Sequence, residues 1–198
     1  MDGLPVIRAA RPQDYALLPL LEAASDTLLA AMPGFGARGR AAGELGGRER
    51  GRARGRERAA AAGELPGELP PPVSASELAG AWHILVAGDP PVGFARLEQV
   101  DGQAHLEQLS VHPDASRAGL GRALVAAALD WARAQGCGSM TLCTFAEVPF
   151  NAPFYASCGF VIVSRPSGEL LAVREHEKAL GLDALGERVA MRRDLSLP

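Results

Sequence analysis

Lysine is nearly missing from this 198-residue chain: Lys178 is the only one, which leaves 19 of the 20 basic residues as arginine. A phosphate-cradling GxxxxGKS/T loop needs a lysine after glycine, and Lys178 follows Glu177, so the chain is not a P-loop protein. Long apolar runs are missing too. The richest stretch is broken by Glu22 and Asp26 and falls short of the roughly 18 residues that a membrane-spanning helix requires. The opening residues, MDGLPVIRAARPQDY, lack the apolar centre of a secretory leader, which makes a cytoplasmic protein the expectation. The three cysteines, Cys137, Cys143 and Cys158, form no CxxC pair, and the four histidines, His83, His105, His112 and His176, are scattered. Neither a disulfide framework nor a metal site of ordinary spacing is expected.

What is present has the balance of a soluble globular protein, with 47% hydrophobic and 22% charged residues and a net charge of -3. The length suits a single domain over residues 1–198. Within it, residues 34–73 stand apart as a low-complexity insertion of Gly, Ala, Arg, Glu, Leu and Pro, and eight of the arginines fall between Arg38 and Arg58. That run could draw nucleic-acid phosphates, but glutamates interrupt it, no aromatic residue stands inside it for stacking, and the chain is acidic overall. A solvated, passive segment is the favoured reading. Gly34, Gly36 and Gly39 match a dinucleotide-loop pattern, yet they leave a helix rather than a strand, which removes the context that pattern needs.

Periodicity places the remaining elements. A strand over Val6–Ala10 precedes a helix over Asp14–Ala31, where Leu17, Leu20, Leu21, Ala24 and Leu28 recur at helical spacing until Pro33-Gly34. Ser74 and Glu77 form a capping box that starts a brief helix through Ala81. Strands over Trp82–Ala87, Val92–Gln99 and Ala104–His112 are joined by the turns at Gly88–Pro91 and Asp101-Gly102. A helix then runs from Leu120 to Gly136, followed by a strand over Ser139–Phe145, a short helix ending at Gly159, and a strand over Phe160–Ser164. Leu171–Leu182 reads as a weak helix with His176 facing solvent, and Glu187–Leu195 as the last strand.

The chemistry concentrates after the third hairpin strand. In SRAGLGRAL, Gly119 and Gly121 open a helix whose first-turn amides point outward, backed by the positive end of the helix dipole. Such an end binds phosphate, and Arg117 and Arg122 would add charge suited to a pyrophosphate; the alternative is a tight turn flanked by surface arginines. Together with the strand LEQLSVHP and the run NAPFYASCGF, this segment resembles the GCN5-related N-acetyltransferase (GNAT) superfamily over about Val6–Met32 and Trp82–Leu195.

The resemblance implies an α+β fold: a mixed, mostly antiparallel sheet of six to seven strands with helices on both faces. It implies acetyl-CoA as acyl donor and no metal. By position, Ser116, Arg117, Ala118, Gly119, Leu120, Gly121 and Arg122 would surround the pyrophosphate, with serine where the family often has Gln or Arg. Leu109, Ser110 and Val111 would bond the pantetheine arm through their backbone, and Asn151, the only asparagine, would lie against the same arm while also fitting a helix N-cap. Tyr155 would protonate the leaving thiolate; its structural alternative is a core tyrosine beside Phe154 and Phe160. Glu107 would accept the amine proton, with Glu98 and His105 as rivals. Cys143 could instead form an acetyl-enzyme, but no base is placed beside it and a buried structural thiol is the favoured role for all three cysteines. The acceptor would be a small-molecule or peptide amine, with no nucleic acid or membrane partner and homodimerisation left open. A non-catalytic coenzyme A sensor and a nucleic-acid-associated protein are the alternatives to the enzyme.

Overall fold

The computed structural model describes residues 3–33, 35 and 69–195. The dinucleotide-like glycines beyond Met32-Pro33 and the arginine run lie outside the described residues, as does most of the expected 34–73 insertion. The chain starts with β1 (Ile7–Ala9) and α1 (Leu18–Ala30). The helix begins four residues later than its periodicity suggests because Asp14 is engaged elsewhere. Its carboxylate takes both ends of the Arg8 guanidinium, at 2.6 and 3.0 Å, and the Arg11 amide at 2.7 Å, which folds 11–17 into turns. Ser74 and Glu77 make the expected capping box, but the helix it opens, α2 (Ala75–Leu78), is a single turn.

Three strands follow as an antiparallel meander: β2 (His83–Gly88), β3 (Pro91–Val100) and β4 (Gln103–Val111). Beyond β4 come α3 (Leu120–Ala134), β5 (Ser139–Phe145), α4 (Ala152–Ser157), β6 (Val161–Ile162), α5 (Gly168–Ala179), α6 (Leu182–Leu185) and β7 (Arg188–Asp194). The seven strands form one sheet in the order β1-β2-β3-β4-β5-β7-β6, antiparallel everywhere except between β4 and β5. The strand expected over Phe160–Ser164 shrinks to two exposed edge residues because Phe160 turns into the core instead.

Helices cover both faces. On one, α3 presents Leu120, Leu124, Val125, Ala128 and Leu129 to Leu85, Ala95, Leu97, Leu106 and Met140, and α4 extends this core through Ala152, Tyr155 and Cys158. On the other, α1 and α2 bring Leu18, Leu21 and Leu78 onto Ile84, Val86 and Phe94. Further along this face α5 covers Val100 and Ala190, and α6 covers Phe145 and Val148.

The weak sequence signal of α5 has a physical cause, since its N-terminus is capped from 68 residues away. Asp101, in the β3–β4 turn, accepts the amides of Glu169 at 2.8 Å and Leu170 at 3.1 Å, and its own amide donates back to the Glu169 carboxylate. Gly168 has φ +61, and a Cβ there would stand 2.4 Å from the Asp101 carboxylate. We propose on this basis that the chain is one cooperative unit. Asp101→Ala should lower the stability of the whole fold by about 1 kcal/mol in a single urea transition; early loss of helix separate from the main transition would contradict it.

The inner side of α1 carries two carboxylates one turn apart. Glu22 is 7% exposed and accepts the Val73 amide at 3.2 Å. Burial holds its carboxyl above the usual range, and burial plus the Glu22 charge pushes Asp26 up to about 6. A folded-state carboxyl raised above its unfolded value binds protons more tightly in the fold, so this pair weakens stability as pH rises from about 4. Asp26→Asn should therefore stabilise the protein by about 1 kcal/mol at pH 7, a gain that fades as pH falls from about 6 towards about 4. A pH-independent difference in urea unfolding would refute this assignment.

Candidate functional site

The site is made by a strand that leaves its neighbour. β4 and β5 share register only at Ala104↔Met140 and His105↔Thr141, and beyond that point the β5-facing edge of β4 is unpaired. The other edge stays bonded to β3, but its register slips: Arg96 faces Gln108 and Leu97 faces Leu106, so Glu107 has no opposite residue. A bulge of this kind bends the strand and increases its local twist. The outer half of β4 thus swings clear and offers the backbone of Leu109, Ser110 and Val111 to an added strand-like ligand. Leu109 and Val111 face a cavity of about 940 Å³ between β4, the C-terminal half of α1 and the start of α3. Ser110 points to the opposite side, 2% exposed, and accepts a hydrogen bond from Gln108 at 3.0 Å.

The cavity's outer wall is the turn from β4 into α3. Gly119 is the helix N-cap with φ +87, a left-handed conformation that a side chain would strain. Arg117 also has positive φ, +63. The first helical amide with an intrachain acceptor is that of Ala123, bonded to the Gly119 carbonyl at 3.0 Å, so the amides of Leu120, Gly121 and Arg122 have no partner along the helix. The structure places Ser116, Arg117, Gly119, Leu120, Gly121 and Arg122 on the cavity, while Ala118 lies exposed outside it. Two of these have side chains bonded within the fold. The Ser116 hydroxyl donates back to the Pro113 carbonyl at 2.6 Å. Arg122 is not a mobile charge: its guanidinium donates to the Ser157 carbonyl at 3.0 Å and hydroxyl at 2.8 Å, tying α3 to the end of α4.

Tyr155 is 9% exposed and packs edge-on between Phe154 and Phe160, at centroid distances of 5.1 and 5.9 Å. The ring is core, yet among the described residues its hydroxyl has no hydrogen-bond partner. Burial, reinforced by nearby Cys158 and opposed by Arg188, holds its pKa well above the ordinary phenol value, so it stays protonated at every physiological pH. Asn151 occupies the N-cap position of α4, but its side chain makes no capping bond. Glu107 stands at the bulge with its side chain 42% exposed, in a recess where desolvation, the largest influence, raises its pKa.

The rival groups have different surroundings. His105 is 1% exposed and burial pushes its pKa down to about 4, so the neutral imidazole has little affinity for a proton at neutral pH. Glu98 is bound to Arg96 at 2.7 Å. Burial pushes the Cys143 thiol up to about 12, leaving negligible thiolate for nucleophilic attack. Among the described residues no group of three His, Cys, Asp or Glu side chains is disposed to hold a metal, and no helix is long and apolar enough to cross a membrane.

Of the expected residues, six pyrophosphate-loop positions, Leu109 and Val111 share one cavity. Glu107 and Tyr155 do not line it, but both lie within the field of Arg188 at the start of β7. Sequence reasoning missed the walls supplied by Ser25 and Leu28 of α1, by Met32 just past its end, and by Phe150 and Phe154. Ser25 and Leu28 stand seven residues after Leu18 and Leu21, so they continue the same face of α1 towards its C-terminal end, and that continued stripe is the signal that could have found them.

Comparison with solved structures places the fold. The GCN5-related N-acetyltransferase of Rhodopseudomonas palustris is 22% identical, with 98% of each chain covered and a TM-score of 0.58. The PaiA N-acetyltransferase of Thermoplasma acidophilum, solved with coenzyme A, is 13% identical over 98% of this chain and 99% of its own, TM-score 0.58. Rv2747 of Mycobacterium tuberculosis, also solved with CoA, is 18% identical over 97% and 100%, TM-score 0.58. These likenesses establish the α+β architecture. The sequence model of the Acetyltransferase (GNAT) family matches residues 59–160, just over half of the chain, and the protein belongs to that family.

Proposed function

We propose that the chain transfers the acetyl group of acetyl-CoA to a primary amine by direct attack, with Tyr155 as general acid and Glu107 as base. The observation that carries this reading is the gap between β4 and β5, which runs from the Glu107 bulge into the cavity closed by the open end of α3. Acetyl-CoA supplies an activated acyl carbon and a thiolate leaving group. The free edge of β4 at Leu109–Val111 is suited to the amides of its pantetheine arm, as an added strand would be. The unpaired amides of Leu120, Gly121 and Arg122, with the helix dipole behind them, suit its pyrophosphate. Arg117 supplies the unsecured positive charge there, and Asn151 leaves its carboxamide uncommitted to the helix it begins.

Glu107 accepts a proton as the amine nitrogen bonds to the acyl carbon; as the carbon–sulfur bond breaks, the sulfur takes the Tyr155 hydroxyl proton. The raised pKa of the phenol keeps that proton available at neutral pH. The acceptor is an amine on a small molecule or a peptide.

Gly121 allows a test of the cavity with little strain, because a Cβ there would meet Phe154 at 3.6 Å and Val111 at 3.9 Å, within the space the ligand would use. Gly121→Val should keep the fold and weaken acetyl-CoA binding by at least about tenfold in calorimetric titration; undiminished affinity would place the ligand elsewhere. Tyr155→Phe should leave that affinity and the melting temperature unchanged and lower turnover about 100-fold or more, read as thiol release across a panel of amines. Full turnover in the variant would remove Tyr155 as the acid, and acetyl-CoA binding without turnover by the intact protein would make the chain a sensor rather than an enzyme.

A further inference from the structure

The bulge on β4 sets Glu107 next to a histidine that the reaction as described leaves unused. His105 is 1% exposed on the same strand. Its Nδ1 is 2.8 Å from the hydroxyl of Thr141, itself buried, across the last registered pair between β4 and β5. Its Nε2 is 3.6 Å from Oε2 of Glu107, just beyond hydrogen-bonding range, and a small rotation of the partly exposed glutamate side chain would close the contact. The ring is therefore held at the point where the two strands part, with one nitrogen on each side of that point.

The tautomer follows from the partners. An ionised carboxylate only accepts hydrogen bonds, whereas a threonine hydroxyl both donates and accepts. A neutral imidazole satisfies both neighbours when Nε2 carries the hydrogen and Nδ1 accepts from Thr141. Burial keeps the ring neutral, its pKa pushed down to about 4. The other charged groups around Glu107 are Arg96 and Glu98 from β3, Glu177 from α5 and Arg188 from β7. Arg96 is already bonded to Glu98, and Arg188 to Glu177. The His105 N–H is thus the donor on Glu107's own strand that remains for its carboxylate.

We propose that His105 is the positioning residue of Glu107: Thr141 fixes the imidazole with hydrogen on Nε2, and that N–H holds the carboxylate at the strand opening where the acceptor amine arrives. This rests on the reading of Glu107 as base. The arrangement resembles a base with an orienting partner in reverse, a neutral ring aligning a carboxylate rather than a carboxylate aligning a ring. The N–H also favours the ionised carboxylate, which desolvation opposes.

The glutamate side-chain carboxyl can be followed by ¹³C NMR during a pH titration, with no acceptor needed. His105→Gln, whose Nε2 can reach Glu107, should keep the titration midpoint close to that of the intact protein. His105→Asn, which reaches only towards Thr141, and His105→Leu should both raise it, and should move the acid limb of the kcat/KM profile to higher pH with about a tenfold loss of kcat below the new midpoint. Acetyl-CoA affinity should be the same in all. If His105→Leu fails to fold, the Gln and Asn pair still decides the matter. A midpoint unmoved in His105→Asn, or moved equally in His105→Gln, overturns the proposal. Undiminished turnover by Glu107→Gln would overturn the base assignment instead, whatever the titrations show.

Discussion

One extra residue in β4 governs the site. Because Glu107 has no partner on β3, the strand kinks, and its hydrogen bonding to β5 ends after two registered positions. A regular strand would have continued the parallel ladder and filled the sheet with backbone hydrogen bonds, leaving no free edge. The bulge instead yields an unpaired row of amides and carbonyls next to the cavity, and sheet edges of that kind readily take an added strand. The helix that follows adds its own unpaired amides at the far end of the same cavity. Both ends of the site thus depend on backbone groups left unsatisfied by the fold, with side chains supplying shape.

The electrostatics of the two faces differ for a related reason. On the side covered by α3 and α4, Tyr155 is buried against the rings of Phe154 and Phe160, and that burial keeps its proton in place. On the opposite side, Glu107 shares its surroundings with Arg96, Glu98, Glu177 and Arg188, a mixed set in which an approaching ammonium meets carboxylates. Arg188 is the cation common to the two groups. It is fixed by Glu177 and lies over the Phe145 ring at 4.7 Å, and Glu177 is in turn held by Arg174, which bonds Asp183 at 2.9 Å. Tyr155 and Glu107 thus lie towards opposite faces of the sheet, the disposition that the proposed acid and base roles would use.

Much of this was legible in the sequence. The hairpin strands, the capping box at Ser74, the amphipathic α3 and the glycine turn before it follow local rules that neighbours a few residues away decide. What escaped was decided by residues far apart. The N-terminus of α5 is capped by Asp101, so its own residues carry little helical signal, and Arg122 is drawn to Ser157 on an element its spacing does not reveal. The late start of α1 reflects the pull of Arg8 on Asp14, and the brevity of β6 the burial of Phe160. The bulge itself left a trace: Ala104, Leu106, Leu109 and Val111 face the same core, and the interval of three between Leu106 and Leu109 breaks the alternation of two at Glu107.

The claim that the parted strands and the open helix end form one ligand site can be read directly from the backbone amides. Titration of ¹⁵N-labelled protein with acetyl-CoA should move the amide resonances of 107–111 and 117–122 together, along one saturation curve, and leave those of β1 and β2 nearly still. Saturating shifts confined to one of the two segments, or centred on another part of the sheet, would contradict it.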